Sequence, residues 1–419
     1  MSTVSPVFLI APTIQQYDWG KLGKSSKVAQ LANSAVPGFA LDESTPYAEL
    51  WMGTHVKSPS GVVGSNKTLR DFLARHPELM GDVSSVFDTT GGNLPFLFKV
   101  LSIGKALSIQ VHPDKKTAAK LHAQQPSVYT DPNHKPEIAI ALTPFRGLCG
   151  FLPTPEIKAY LAAVPEFRAV APEELVRRFE GASEQDDKVA LRDFFTGMMT
   201  ANADRVKGEL SKLDNRYRES RETGIERRVR DLVLALSSQH PGDVGIFCAF
   251  MLNLVDLQPG EAIFFGAGEP HAYVSGDIIE CMANSDNVIR AGLTPKPKDV
   301  PNLIKSLTYR TAKADSHMIK PKPLSGTAYT TSYVPPVPDF RVLSVKIPKN
   351  ATEGHGSFGS ASIAIVTQGL GSVTWEDANG ALALSAGNVV FIGANVRVSF
   401  RAGDEGMSIY RAYAATSSS

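Results

Sequence analysis

A mainly β protein interrupted by an all-α insert is the fold class that this 419-residue chain predicts. Three observations carry the prediction. Short runs of strand character bounded by Gly and Pro fill the first 150 residues and resume at Gly242. Amphipathic helical patterns, with charges of both signs on their outer faces, occupy Thr154 to His240. The final stretch from about residue 339 alternates apolar and polar positions around glycines, as a small all-β domain does.

In chain order, Leu69, Phe72 and Leu73 form an i, i+3, i+4 apolar stripe behind an N-capping Thr68, which predicts a helix to about Arg75. A second helix starts near Asp114 and is closed by Gln124-Gln125-Pro126. Pro155-Glu156 and Pro172-Glu173-Glu174 place proline and acids in first turns, which opens the helical insert. Longer helices are expected at roughly 186–203, 204–218 and 225–238. A Pro-, Ser- and Thr-rich stretch from Lys320 to Pro338 reads as a linker, and the tail from Ala414 to Ser419 is expected to fray. The expected organisation is a discontinuous β-domain (1–152 and 241–320), a helical insert (153–240) and a C-terminal β-domain (321–419).

Composition excludes several function classes. Lys and Arg number 43 against 42 Asp and Glu, so no field draws the chain to nucleic acid or an anionic membrane, and neither is expected as a partner. No apolar run approaches the ~18 residues of a membrane span. The patch Val7 to Ile10 has no basic leader and is too short for a secretory signal. Cys149, Cys248 and Cys281 are odd in number and widely spaced, which predicts reduced, buried thiols and a cytoplasmic protein.

Four segments carry chemistry. In Leu107-Ser108-Ile109-Gln110-Val111-His112, strand alternation puts Ser108, Gln110 and His112 on one face and the three apolar residues on the other. That polar face suits metal binding, though such faces also commonly meet water. In His134-Lys135-Pro136-Glu137, followed by Ile-Ala-Ile-Ala, Lys135 and Glu137 share a face with Ala139 and Ala141, which leaves room for a cavity. His134 falls out of phase, so Glu137 is the better ligand candidate. The run from Gly260 to Tyr273 has the Gly-x5-x-x-Gly-x-x-His spacing of the second cupin signature, with Gly260, Gly268 and His271 in register. It departs from it at Gly266, where Pro is preferred, and at Ser275, where Asn is. The fourth segment, Glu280 to Lys296, is polar and turn-rich between apolar strands. Its Arg290 and Lys296 suit phosphate or carboxylate, or simply a solvated loop.

One repeat stands out. Gly260 to Ala267 is similar to Gly387 to Ala394, and continuing in register sets Val398 against His271. Duplication of one β-domain, with the later copy lacking the histidine, would explain it. So would chance recurrence of Gly-strand-Gly-Ala segments in β proteins.

Taken together, Tyr47 to Gly53, Gln110 to Lys115, Asn133 to Glu137, Glu269 to Tyr273 and Asn284 to Lys296 resemble type I mannose-6-phosphate isomerase (phosphomannose isomerase) of the cupin superfamily, along the whole chain and in its eukaryotic branch. The resemblance implies a cupin-like jelly-roll β-sandwich catalytic domain, an all-α insert and a second, metal-free cupin-like β-domain. It implies one zinc ion per chain held by Gln110, His112, Glu137 and His271. Arg290 matches the family's essential arginine, while Lys135 and Glu280 are candidate bases. Ser108 and Lys296 match phosphate-holding positions, and Lys99, Tyr273, Asp286, Trp19 and Glu49 others lining the pocket. The implied reaction interconverts mannose 6-phosphate and fructose 6-phosphate through an enediol, supplying mannose for GDP-mannose and glycosylation, in a monomer. Two other readings compete: a metal-dependent cupin oxygenase, disfavoured by Gln110 where a first histidine would stand, and a non-catalytic bicupin sugar-binding or storage protein, which needs neither Arg290 nor Lys296.

Overall fold

The structure, a computed structural model, describes residues 4–376 and 381–416. Its strands form two large antiparallel sheets and one small one. The first large sheet runs Leu252–Leu257, Phe145–Phe151, His271–Ala283, Phe96–Ile103, Glu49–Met52, Thr13–Gln15, with four short strands hung on it. His271–Ala283 organises this sheet. Its first half pairs with Phe145–Phe151 and with Gln110, and its second half with Phe96–Ile103 and Glu137–Ala141. Gly276, at φ +114°, marks the change of partner; a Cβ there would meet the Pro144 carbonyl oxygen at 2.6 Å, so only glycine fits. This strand brings sequence-distant Gln110, Glu137 and His271 into one sandwich.

The insert holds helices Thr154–Ala163, Pro165–Val170, Glu173–Glu180, Asp187–Met199, Ala203–Arg218 and Arg227–Gln239. The helix expected over 186–203 stops at Met199 because the Asn202 side chain accepts from the Asp204 and Arg205 amides and starts the next one. Phe167, Phe179, Phe194 and Phe250 pack face and edge inside the insert. Their apolar cluster continues without a break into Ile109, Val111, Ile289 and Ala291 of the first sheet. The insert is therefore fused to one wall of the sandwich.

The second large sheet is built on Ser362–Trp375 and Val398–Tyr413 and includes Arg341–Ile347 and Val389–Ile392. It also takes in Val7–Ala11, whose Val7 lies opposite Ile392. The first strand thus joins the sheet of the last third of the chain. Its alternation leaves Val7 in one apolar cluster and Ile10 in another. The stretch read as a linker contains strands Lys322–Pro323 and Thr330–Tyr333, because Thr330, Ser332 and Tyr333 are buried against Arg341–Ile347. Nor does the tail fray from Ala414: that residue is buried and the Ala415 amide donates to the Pro338 carbonyl. Residues 417–419 lie outside the described residues. The two halves of the repeat occupy matching places. Ala262–Phe265 and Val389–Ile392 each begin two residues after a positive-φ glycine, and His271 and Val398 each open a long strand eleven residues after it.

No helix among the described residues is long and apolar enough to cross a membrane.

Candidate functional site

Three buried side chains converge from three strand segments. His112 follows Ile109–Val111, Glu137 opens Glu137–Ala141 and His271 opens His271–Ala283. One ligand atom from each lies within 4.8 Å of the others. Glu137 Oε2 is 3.4 Å from His112 Nε2 and 3.2 Å from His271 Nε2. Each imidazole is oriented from behind: Nδ1 of His112 donates to the Asn287 carbonyl at 2.6 Å, and that of His271 to the Glu269 carbonyl at 3.0 Å. The two carbonyls thereby turn both Nε2 atoms toward Glu137, as outer partners turn the imidazoles of a metal site. His112 Nε2 is buried without a hydrogen-bond partner, and burial pushes this imidazole down to about 4, which keeps it neutral. Burial also acts to raise Glu137, but the Lys135 ammonium beside it prevails and the carboxyl is held well below the usual range. Two imidazole nitrogens and one carboxylate, aimed together with His112 Nε2 left unpartnered, fit a divalent cation such as zinc. Gln110 lines the same cavity, and its Cα lies opposite both His271 and Arg290. Among the described residues this is the one such His/Cys/Asp/Glu group. His134, which sequence parity set aside, turns instead to Asp339 at 2.9 Å.

Beside the cation site lies a buried charged wall. Lys135 Nζ is 3.0 Å from Glu137 Oε1. Lys99 Nζ lies 3.0 Å from Glu280 Oε2, 3.4 Å from Glu49 Oε2 and 5.0 Å above the Trp51 ring. Burial works against the Lys99 ammonium, but Glu280 and Glu49 more than compensate and raise its pKa. The Tyr273 hydroxyl donates to Glu280 Oε1 at 2.8 Å, and Trp51 Nε1 donates to Glu49. Burial raises the Glu280 carboxyl despite Lys99. It also drives the Tyr273 phenol well above its ordinary value.

The remaining candidates sit further out. Ser108 lines the cavity, half-buried. Arg290 is half-buried on Ile289–Gly292, sharing a strand face with Gln110, and its pKa is lowered by burial. Trp19 is half-buried against the cluster that contains Leu101 and Tyr273. Asp286 is gripped by His55 Nε2 at 3.3 Å and Lys57 Nζ at 2.9 Å. Lys296 is exposed, and neither it, Arg290 nor Asp286 is among the residues walling the cavity around Glu137.

Sequence reasoning missed Asn287. Its carbonyl orients His112, and its side-chain amide donates to the carbonyls of Asp131 (2.6 Å) and Asn133 (2.7 Å), in the loop that leads to Lys135 and Glu137. It was visible only as one polar residue among many in the Glu280–Lys296 segment. His55 was missed as well, since it acts through the sequence-distant Asp286, and so was Trp51, whose ring lies under Lys99 of the neighbouring strand.

Fold and site together define a metal-dependent enzyme on a cupin-like sandwich with a helical insert. The chain matches the catalytic domain of type I phosphomannose isomerase over residues 7–154 and that family's helical insertion domain over 167–252. It is 44% identical to mannose-6-phosphate isomerase of Cryptococcus neoformans, covering 97% of this chain and 98% of the relative. To the Homo sapiens enzyme of that name it is 42% identical, over 94% and 95%. Mannose 6-phosphate isomerase from Salmonella typhimurium, crystallised with substrate (F6P) and zinc, superposes with a TM-score of 0.83 at 29% identity, covering 98% of this chain and all of that one. The chain belongs to the type I phosphomannose isomerase family.

Proposed function

We propose that this protein interconverts mannose 6-phosphate and fructose 6-phosphate, with one zinc ion held by Gln110, His112, Glu137 and His271. The observation that carries the reading is the convergence of two back-supported histidines and Glu137 beside a wall of buried titratable groups, in a chain of this family. When bound, zinc supplies a Lewis acid for the sugar oxygens, little weakened because its ligands bring a single negative charge.

The chain's own groups do the proton work. Moving the carbonyl between C1 and C2 requires one proton to pass between carbons and another between oxygens. Two cavity groups outside the ligand set are suited to this, Lys135 and Glu280. Glu280, raised by burial, is a stronger base than an exposed carboxylate, and the Tyr273 hydroxyl and Lys99 fix its orientation. Lys135 stands two residues before Glu137, with Nζ 3.0 Å from Glu137 Oε1. Arg290 stabilises negative charge that develops on the enediol oxygens. Ser108 and Lys296 take the phosphate, Glu49 holds Lys99 in the buried wall, and Trp19 and Asp286 shape the entrance. Burial of Cys149, Cys248 and Cys281 as free thiols supports a reducing, cytoplasmic setting. We assign a monomer that feeds GDP-mannose synthesis, built from residues 1–152 with 241–320, the insert 153–240 and the domain 321–419, with Val7–Ala11 crossing into the sheet of that last domain.

The test is conversion of mannose 6-phosphate by purified protein, before and after EDTA and with zinc restored, alongside an oxygen electrode. Isomerisation that EDTA abolishes and zinc restores, without oxygen uptake, is expected. Full activity in metal-free protein refutes the zinc assignment, and oxygen consumption refutes the isomerase.

A further inference from the structure

Where the helical insert returns to the β-sandwich, three side chains grip backbone that leads into the site. Gln239 ends the last insert helix, and its Oε1 accepts the Ala106 amide at 2.9 Å. The next residue, His240, donates from Nε2 to the Ala106 carbonyl at 3.1 Å. Both polar groups of one buried residue are thereby taken by the insert, two positions before Ser108. Asp243 grips a second point. Its Oδ1 accepts from the amides of Gly245 (2.7 Å) and Leu293 (2.9 Å), and its Oδ2 from Thr294 (3.2 Å), with Lys298 Nζ at 3.8 Å.

These two points lie at one end of a single ribbon. Ile109–Val111 pairs with Ile289–Gly292, with Ile109 opposite Gly292. Ala106–Ser108 and Leu293–Thr294 therefore emerge side by side. One ribbon face, with Ile109, Val111, Ile289 and Ala291, is packed into the same apolar cluster as Leu232 and Leu236 of the insert and Val244 just after it. The other carries Gln110 and Arg290. The turn itself is forced. Leu293 sits at φ +55°, a left-handed conformation that a side-chain-bearing residue keeps only when its surroundings hold it. Gly245 and Gly292 touch backbone to backbone, and a Cβ on Gly292 would come 2.6 Å from Gly245 Cα.

We propose that Gln239, His240 and Asp243 form a clamp through which the helical insert positions the substrate's phosphate site. They are positioning residues: by setting the end of the ribbon, they place Ser108 on one strand and the Arg290–Lys296 turn on the other. This rests on the isomerase reading, and it gives the insert a role in binding.

The test uses full-length, zinc-loaded protein with Asp243→Ala, Asp243→Asn and Gln239→Ala. The measurements are kcat and KM for mannose 6-phosphate, the inhibition constant of inorganic phosphate, and zinc content. Loss of the three-amide grip in Asp243→Ala should raise KM and the phosphate inhibition constant together by about tenfold, with kcat changed by less than about twofold and zinc retained. Gln239→Ala should move both constants the same way by a smaller factor. Asp243→Asn, whose Oδ1 still accepts from Gly245 and Leu293, should recover most of the loss. Unchanged KM with reduced kcat, or loss of zinc, overturns the clamp and leaves a merely structural contact. If Asp243→Ala does not fold, Gln239→Ala and Asp243→Asn decide the matter by the same two constants. A wild-type protein that does not isomerise at all brings down the isomerase reading and the clamp with it; an active wild type with KM unmoved in the variants brings down the clamp alone.

Discussion

Replacing Lys99 by methionine keeps the volume of the stem and deletes one charge between two buried carboxylates. Lys99 Nζ stands 3.0 Å from Glu280 and 3.4 Å from Glu49, and all three residues are buried. At an effective dielectric of about 20 each contact is worth on the order of 5 kcal/mol of Coulomb attraction, most of it offset by desolvation. Breaking such a buried pair from one side costs about 3–5 kcal/mol, because the partner stays behind uncompensated. Unfolding entropy near 2 cal/mol/K per residue over this chain makes the loss about 1 °C of Tm per kcal/mol, so Tm should fall by about 4 °C at pH 8. The pH dependence carries the sharper test. Burial already raises Glu280, so the folded state binds its proton more tightly than the unfolded chain. Stability from that proton is fully present below the unfolded carboxylate range and is lost as pH rises through the folded value. Removing Lys99 lifts the folded value further, so the variant regains stability in acid, and its deficit at pH 5 should be about half or less of that at pH 8. The acidic limb of its rate profile should move to higher pH, because Glu280, as a proposed base, must lose a more tightly held proton before it acts. Paired thermal melts of wild type and Lys99→Met at pH 5 and pH 8 check the reasoning. An equal Tm deficit at both values would refute it.

Other consequences are as direct. His112→Ala should lose bound zinc and isomerase activity in the same proportion, read by metal analysis beside the rate, since the lost imidazole is one of three converging ligands. Asn287→Asp sets a carboxylate against the Asp131 and Asn133 carbonyls that now receive an amide, and by loosening the support of His112 it should weaken zinc binding about 10–100-fold in chelator competition. Lys296→Ala should raise KM with kcat nearly unchanged, because its proposed partner is a phosphate remote from the reacting carbons; a collapse of kcat alone would give Lys296 another role.

Alternation along a strand is a local property, and the chain alone determined what depends on it. Ile109 and Val111 enter the apolar cluster while Gln110 faces the cavity, and Glu137 faces the site while His134 leaves it for Asp339. The helical insert was legible for the same reason, since a 3.6-residue period needs no partner to be seen. Motif resemblance added the family and its ligand set. Tertiary structure alone decided which segments became neighbours. Val7–Ala11 crosses to the far sheet, Lys320 to Pro338 yields strands, and Ala414 is buried. Asn287 behind His112, His55 on Asp286, and the insert's hold on Ala106 and Leu293 likewise join residues more than a hundred positions apart or separated by whole elements. Periodicity tells a side chain which way to face, but what it meets there depends on how the sheets close, and that is settled by burial summed over the whole chain.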